Sequence, residues 1–236
     1  MPELTVQPAK DSYLSAVAKD TNYGAGQFAL VRVVYAGDLK LAWERAIGNF
    51  DVSVLAGATI ESAKLVRHVW SLPGGGGHDA IISRCTRPAD WVENQVTWNK
   101  YRTGANWTAA GGDFDDAVPG AITYSEPTST GDHEVPGLKP HVEDALANRS
   151  GIVSLLIRLA DEDPDVDQGA GWRTKEYGAD VWRLTIDYTL PPDAGRRSLS
   201  GSRHHRAPAV RPGSPVRPAA GTRPATAQRP SVRRPR

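Results

Sequence analysis

The chain has 236 residues, which is the length of one large β domain or of two small domains. It contains 23 glycines and 18 prolines, a composition that is typical of many turns and unfavourable for long helices. Because Cys85 is the only cysteine, an intramolecular disulfide is excluded. No apolar run approaches the ~20 residues that a membrane-spanning helix needs, so we predict no membrane insertion.

The formal net charge of +1 conceals two oppositely charged regions. Residues 1–192 contain 17 basic and 26 acidic side chains, whereas residues 193–236 contain eleven arginines and one aspartate. The second region is rich in Arg and Pro and has few apolar side chains, so it cannot bury enough surface to offset its ordering entropy. The sequence therefore predicts a domain over 4–192 and a disordered tail over 193–236.

The basic tail bears on the partners of the protein. Its arginines can neutralise phosphates, so nucleic acid is expected to bind through the tail if it binds at all. Because the tail has no aromatic residues on which bases could stack, such binding would be unselective. The alternatives are a tail that folds back on the acidic domain and a solvated tail without a specific function, and we favour the solvated tail.

Strand patterns follow one another along the chain from its first residues. Residues 1–5 have neither the basic nor the apolar region of a secretory signal, so we expect no classical signal peptide. Alternating or β-prone segments predict strands over 12–17, 28–35, 46–50, 59–70, 80–86, 95–98, 121–124, 153–159 and 182–188. One short helix is expected over 141–148. Many short strands with regular turns predict an all-β fold, a jelly-roll-like antiparallel β-sandwich with one short helix.

Three tryptophans fall within seventeen positions, in segment 91–99 (Trp-Val-Glu-Asn-Gln-Val-Thr-Trp-Asn) and at Trp107. Indole rings either anchor a core or form a stacking surface for a ligand. For Trp91, Glu93, Thr97 and Trp98 we favour a structural role, in which the carboxylate satisfies backbone donors or an indole N–H.

Trp107 is expected to be the exposed ring of this region. It precedes a glycine turn, and Tyr101 and Arg102 lie close to it in sequence. Aromatic and arginine side chains are enriched at binding surfaces, so these three residues are the candidate ligand-binding patch.

A series of short motifs occurs in order along the chain: 11–14 (Asp-Ser-Tyr-Leu), 22–24 (Asn-Tyr-Gly), 50–53 (Phe-Asp-Val-Ser), 58–65 (Ala-Thr-Ile-Glu-Ser-Ala-Lys-Leu), 91–99, 111–113 (Gly-Gly-Asp) and 184–188 (Leu-Thr-Ile-Asp-Tyr). With these motifs, about residues 6 to 190 resemble the DNRLRE domain, a jelly-roll module of bacterial, archaeal and phage surface proteins. The segment 173–176 (Arg-Thr-Lys-Glu) departs from the family's Ser-Arg-Glu. The resemblance implies a non-catalytic β-sandwich related to alginate-type carbohydrate-binding modules.

A run of acidic residues is the candidate metal site. Asp161, Asp163, Asp165 and Asp167 stand at alternate positions. Carboxylates repel one another unless a cation or solvent screens them, and oxygen ligands suit Ca²⁺. The run is not an EF-hand, because no aspartate in it has glycine at the sixth position of such a loop. Ca²⁺ is therefore the candidate cofactor, and a hydrated hairpin tip is the alternative.

No sequence motif for catalysis is present: there is no metalloprotease, serine hydrolase, P-loop or dinucleotide-binding pattern. We therefore expect no enzyme but a structural or adhesive module with weak carbohydrate binding. A virion, such as a phage tail, or an extracellular surface is the expected location, with virion proteins and an acidic or cell-surface polysaccharide as partners. The alternative is a polysaccharide-degrading enzyme or its accessory module, in which Glu93 would pair with Asp113 or Glu176.

Overall fold

Antiparallel strands dominate the computed structural model, which describes residues 1–191. The strands are β1 (Glu3–Val6), β2 (Lys10–Ser15), β3 (Phe28–Ala36), β4 (Leu39–Asp51), β5 (Thr59–Ser71), β6 (Asp79–Cys85), β7 (Lys100–Arg102), β8 (Ala105–Asn106), β9 (Phe114–Asp115), β10 (Ile122–Ser125), β11 (Gly131–Pro136), β12 (Ile152–Leu159), β13 (Gln168–Arg173) and β14 (Arg183–Thr189). The helix α1 (Lys139–Asn148) precedes β12, and single 3-10 turns lie at Ser53–Leu55, Pro73–Gly75 and Lys175–Tyr177. The predicted tail over 193–236 lies outside the described residues.

The strands form a sandwich whose two layers share a continuous hydrogen-bonded path. Its order is β1-β14-β5-β13-β3-β4-β12-β6-β10, with β11 also paired to β5, β2 to β4 and β9 to β6. The pairing of β13 with β5 covers only two residue pairs and has a register shift between Gly171 and Trp172. The all-β sandwich predicted from the sequence is confirmed.

The main core lies between the layers, because inward positions of both layers are apolar. Phe50 of β4 meets Trp182 edge-on with ring centroids 5.2 Å apart, and Trp172 lies 5.8 Å from Trp182. Gly48 of β4 leaves room for the Trp182 ring, since a Cβ at this position would lie 2.3 Å from Trp182 Cζ2. The helix α1 covers one side of this core with Val142 and Ala145.

A second apolar cluster covers the outer face of β2, β4, β12 and β6. Residues 86–113, here called the tryptophan loop, lie across this face. The buried members of the cluster are Leu14, Ala16, Ile47, Cys85, Leu156, Trp91, Val96, Trp98 and Trp107. The tryptophan loop therefore covers the outer face of these strands and forms a second core with them.

Most of the predicted elements are present with shifted ends. The strand predicted over 95–98 is wrong: this segment is a turn, with the Val96 N–H donating to Val92 O at 2.8 Å. It cannot join the sheet beneath it, because β4 and β12 already have partner strands on both sides. The helix predicted over 141–148 is confirmed and begins two residues earlier, at Lys139. Among the described residues, no helix is long and apolar enough to cross a membrane.

Candidate functional site

A shallow groove lined by aromatic side chains crosses β2, β3 and β5. Its cavity volume is about 260 Å³. The lining side chains are Tyr13 of β2, Tyr23 and Gln27 of the following loop, Phe28, Leu30 and Arg32 of β3, and Trp70 of β5. The side chains of Phe28, Leu30 and Arg32 alternate along β3 with the core residues Ala29, Val31 and Val33, so the groove lies on the face of β3 opposite the core. We call this surface the aromatic groove.

Trp70 forms one end of the groove, and 42% of its surface is exposed. Its ring lies 4.4 Å from that of Phe28, measured between centroids. Below it is Gly171 of β13, where a Cβ would lie 3.1 Å from Trp70 Nε1 and 2.8 Å from Leu30 Cδ2. The missing side chain of Gly171 thus lets a large indole lie close against the sheet while part of its surface stays exposed.

Tyr13 and Tyr23 form the other end as a stacked pair, with ring centroids 4.0 Å apart. Two contacts hold the loop that carries Tyr23. Asn22 Nδ2 donates to the carbonyl oxygens of Glu93 and Val96, at 2.7 Å in each case. Gly24 lies so close to the Glu93 carbonyl that a Cβ would be 2.0 Å from its oxygen. The stacked pair is therefore anchored to the tryptophan loop.

Arg32 is the positive charge of the groove. Its Nε donates to Glu44 Oε2 at 2.6 Å, and the Glu44 side chain is only 8% exposed. Burial raises the pKa of Glu44, and Arg32 opposes that shift. In the described part of the chain, the terminal nitrogens of Arg32 donate to no other protein group. They remain available to a ligand in the groove.

Tyr177 extends the aromatic surface beyond Phe28. It is 38% exposed and lies 5.7 Å from Phe28 between ring centroids. The Arg173 guanidinium lies 4.1 Å from the Tyr177 ring centroid and pairs with Asp180 at 2.7 Å. A cation over a ring face is favourable and holds the ring in place.

The patch predicted from the tryptophan motif has a different character. Trp107 is only 5% exposed, and its Nε1 donates to Thr97 O at 3.0 Å, so the expected exposure of this ring is wrong. Trp107 is buried because the tryptophan loop packs against the sheet and places this ring in the second core. Tyr101 lies against Trp107 at 5.6 Å, with the guanidiniums of Arg87 and Arg102 over its ring.

Structural contacts in the tryptophan loop are made by Trp91, Glu93, Thr97 and Trp98. Both indoles are buried, and Trp91 Nε1 donates to Asn49 Oδ1 at 3.0 Å. Thr97 Oγ1 accepts a hydrogen bond from the Lys100 N–H. Glu93 Oε1 accepts the Asp11 backbone N–H at 2.7 Å. The carboxylate therefore satisfies a backbone donor, which is the role that the structural interpretation assigned to it.

A second cleft has a volume of about 420 Å³ and lies mostly within the tryptophan loop. It is lined by Thr86, Arg87, Thr108, Ala109, Gly112, Asp113 and Phe114. Arg87 Nε donates to Asp113 Oδ2 at 2.6 Å, and the same oxygen accepts the Thr108 N–H and hydroxyl. Arg87 lowers the pKa of Asp113, against the effect of burial. The polar groups of this cleft thus satisfy one another.

The acidic run does not gather its four aspartates around one point. Asp163 pairs with Lys40 at 2.7 Å, and Asp167 Oδ1 accepts the Tyr35 N–H at 2.7 Å. Asp161 accepts the N–H of Asp163, whereas Asp165 is exposed. Lys40, β3 and local turn chemistry therefore account for three of the four carboxylates.

One group of three metal-ligating side chains is present among residues 1–191: Asp11, Glu93 and Glu176, with one oxygen of each within 4.8 Å of the others. Burial raises the pKa of Asp11 to about 7, and the neighbouring Glu176 adds to that rise. From the sequence, Glu93 and Glu176 were paired only as alternative catalytic carboxylates, and Asp11 stood in the segment 11–14. They converge because β2, the tryptophan loop and the turn after β13 contact one another. A local sequence pattern does not predict such contacts.

The aromatic groove was also missed by sequence analysis. Tyr13 and Tyr23 stood in motifs of the resemblance, and Trp70 stood at the end of a strand. The available signal was Trp70, a large aromatic residue at a position of β5 next to the core residue Val69. Alternation predicts an outward indole at that position.

Comparison with protein families adds one finding. Residues 2–108 match the model of carbohydrate-binding module family 96. The matched segment includes the whole lining of the aromatic groove and ends just after Trp107. A search of curated proteins finds no match for this chain. The chain is thus similar to a family of carbohydrate-binding modules over residues 2–108.

Proposed function

We propose that the protein is a non-catalytic carbohydrate-binding module and that the aromatic groove is its binding site. The observation that carries the proposal is the position of Trp70, which lies against Gly171 beside Phe28 with 42% of its surface exposed. An indole with one free side offers a flat apolar surface that suits the C–H face of a sugar ring. The similarity of residues 2–108 to a carbohydrate-binding family supports the same assignment.

The groove offers two kinds of contact to a glycan. Trp70 and the Tyr13–Tyr23 pair provide apolar surface, and Arg32 provides charged donors in the same groove. A guanidinium binds a carboxylate through two parallel hydrogen bonds. We therefore propose an acidic polysaccharide rather than a neutral one as the ligand.

The test is binding of the full chain to a uronate polysaccharide such as alginate, with a neutral β-glucan as comparison. We expect retention in affinity electrophoresis on alginate, and an isotherm in calorimetry that weakens with added salt. Trp70→Ala should weaken binding by on the order of tenfold or more, since a buried aromatic contact contributes heavily at binding sites. Arg32→Met should remove the preference for the acidic glycan.

Leu39→Ala is the matched control, because Leu39 is a large apolar residue that is 65% exposed and does not line the groove. It should bind as the unmodified chain does. Tyr101→Ala tests the patch predicted from the sequence, which comprises Trp107, Tyr101 and Arg102. Loss of binding in Tyr101→Ala together with full binding in Trp70→Ala would move the site to that patch. No binding to either polysaccharide would overturn the proposal.

We also propose a biological context, a DNRLRE-like module on a virion or on an extracellular surface. The segments 22–24, 58–65 and 91–99 support this proposal through their resemblance to that family. Antibody labelling of purified virions and of intact cells would test it, and labelling confined to the cell interior would contradict it. The accessory module of a polysaccharide-degrading enzyme is the second candidate. Co-purification with an activity that releases unsaturated or reducing ends would favour it.

A further inference from the structure

Three carboxylates from distant segments of the chain converge at one place in the fold. Asp11 is in β2, Glu93 is in the tryptophan loop and Glu176 is in the 3-10 turn after β13. One oxygen from each lies within 4.8 Å of the other two. Since negative charges at this distance repel one another, the arrangement requires compensation.

The protein supplies this compensation only in part. Lys175 Nζ lies 3.0 Å from Glu93 Oε1 and also contacts Glu176 Oε1. One ammonium group therefore faces three carboxylates. The other nearby lysine, Lys10, donates to Trp91 O at 2.5 Å and lies over the Trp91 ring, 4.3 Å from its centroid.

Two oxygens of the cluster are buried and accept no hydrogen bond. Asp11 is only 1% exposed: its Oδ2 accepts the Trp182 Nε1–H and the Lys175 N–H, but its Oδ1 has no partner within the described structure. Glu176 Oε2 is in the same condition. A buried acceptor without a partner is costly, and more so when it is charged. Both oxygens belong to carboxylates of this group, so a cation bound by the group would offer each carboxylate a partner.

We propose that Asp11, Glu93 and Glu176 bind a divalent cation, and specifically Ca²⁺. Ca²⁺ takes six to eight oxygen ligands at about 2.3–2.6 Å, so oxygens on opposite sides of the ion are about 5 Å apart. The spacing limit of 4.8 Å lies within that span. Glu93 and Glu176 are partly exposed, so water can complete the coordination. Lys175 is the competing cation: it must turn away from the carboxylates when the ion binds.

The site would also support the aromatic groove, a consequence that rests on the proposed function. Asp11 precedes Tyr13 by two residues on the same face of β2. The backbone of Glu93 holds the loop of Tyr23 through Asn22, and Glu176 is followed by Tyr177. One ion would therefore join β2, which carries Tyr13, to the tryptophan loop, which holds the loop of Tyr23, and to the turn that carries Tyr177.

The test begins with the full chain stripped by a chelator and titrated with CaCl₂ alone. We expect one equivalent of Ca²⁺ in calorimetry. We also expect a rise in melting temperature of about 5–10 °C at a hundredfold excess over Kd. Glu176→Gln should weaken Ca²⁺ binding by on the order of tenfold, because affinity follows the number of charged ligands. Lys175→Met should strengthen it, whereas a purely structural ion pair predicts only a loss of stability in this variant.

Glu143→Gln is the matched control, since Glu143 lies on α1, pairs with Lys139 at 3.7 Å and is not a member of the cluster. It should bind Ca²⁺ as the unmodified chain does. Asp161→Asn with Asp163→Asn tests the acidic run, and loss of binding there with retention in Glu176→Gln would overturn the proposal. So would the absence of any Ca²⁺ heat or melting shift. These measurements contain no glycan, so their outcome is independent of the carbohydrate proposal.

Discussion

The indole N–H of Trp182 donates a hydrogen bond of 2.5 Å to Asp11 Oδ2 inside the domain. Asp11 is paired with Gly48 in the antiparallel register of β2 and β4, and the Trp182 ring lies against that glycine. The same aspartate accepts the backbone N–H of Lys175. Asp11 therefore links the core to the turn that carries Glu176, and this fixes one side of the proposed cation site.

Gly48→Ala should destabilise the fold by about 2–4 kcal/mol, because its Cβ would overlap the fully buried Trp182 ring. The measurement is urea unfolding followed by circular dichroism. In a Trp182→Phe background the overlapping ring atoms are absent, so the same substitution should cost much less there. Equal costs in the two backgrounds would show that the ring is not the obstacle.

Gly171→Ala should weaken glycan binding severalfold with little loss of stability. The new Cβ would approach Trp70 Nε1 and the flexible end of Leu30, so both side chains can shift, but Trp70 would leave its position beside Phe28. Calorimetry with alginate and a melting curve would separate the two effects. In a Trp70→Ala background the substitution should have no further effect on affinity. A full-strength binding isotherm for Gly171→Ala alone would contradict this account of the groove.

Glu126→Gln should cost about 3–5 kcal/mol in the free energy of unfolding. Arg67 and Glu126 form an ion pair at 3.0 Å, with side-chain exposures of 1% and 0%, so the substitution leaves a buried guanidinium without its counter-charge. Denaturant titration measures the loss. Glu134→Gln in the neighbouring strand β11 is the control, because the pair Lys64–Glu134 is exposed and should contribute less than about 1 kcal/mol. Similar losses in both variants would rule out burial as the cause.

His141 should reduce stability as the pH is lowered from 7 to 5, in opposition to Asp11, whose raised pKa stabilises the folded state over the same range. Burial lowers the pKa of His141, and Arg84 acts in the same direction, against the carbonyl of Gly120 and the carboxylate of Asp144. The folded state then binds fewer protons than the unfolded state, so stability is lost below the unfolded pKa of about 6.5. Melting temperatures of the unmodified chain and His141→Gln across this range test it. Relative to the unmodified chain, the variant should become more stable as the pH is lowered from 7 to 5. Parallel profiles would show that His141 does not contribute.

The sequence predicted those elements whose formation depends on residues within the same segment, and it did not predict elements that depend on contacts with distant residues. Alternation alone located the strands over 153–159 and 182–188 to within one residue, because each places apolar side chains on the core face. The strand β13 went unpredicted, since its Gly169 and Gly171 serve close contacts with β3 and Trp70 and contribute no alternating pattern. A glycine in the sequence indicates that another part of the chain comes close to its backbone, but it does not indicate which residue that is.

The tryptophan motif shows the same limit at the site. Its sequence predicted a choice between core and ligand surface, and the structural choice agrees with the contacts of Trp91 and Trp98. For Trp107 the glycine turn that follows suggested exposure, yet the outer face of the sheet needed a cover and Trp107 helps to provide it.

By itself, the sequence determined the all-β class, the sandwich and the short helix, because period-two and helical periodicities arise within single segments. Only the tertiary structure decided which aromatic rings are buried and which line a groove, and which carboxylates meet. Tyr13 and Trp70 of the groove are far apart in the chain, and strand pairing brings them together. The same holds for the three carboxylates Asp11, Glu93 and Glu176, which meet because the tryptophan loop packs on the sheet. Contacts of that kind depend on the register and the crossing of whole elements, which a local pattern does not contain.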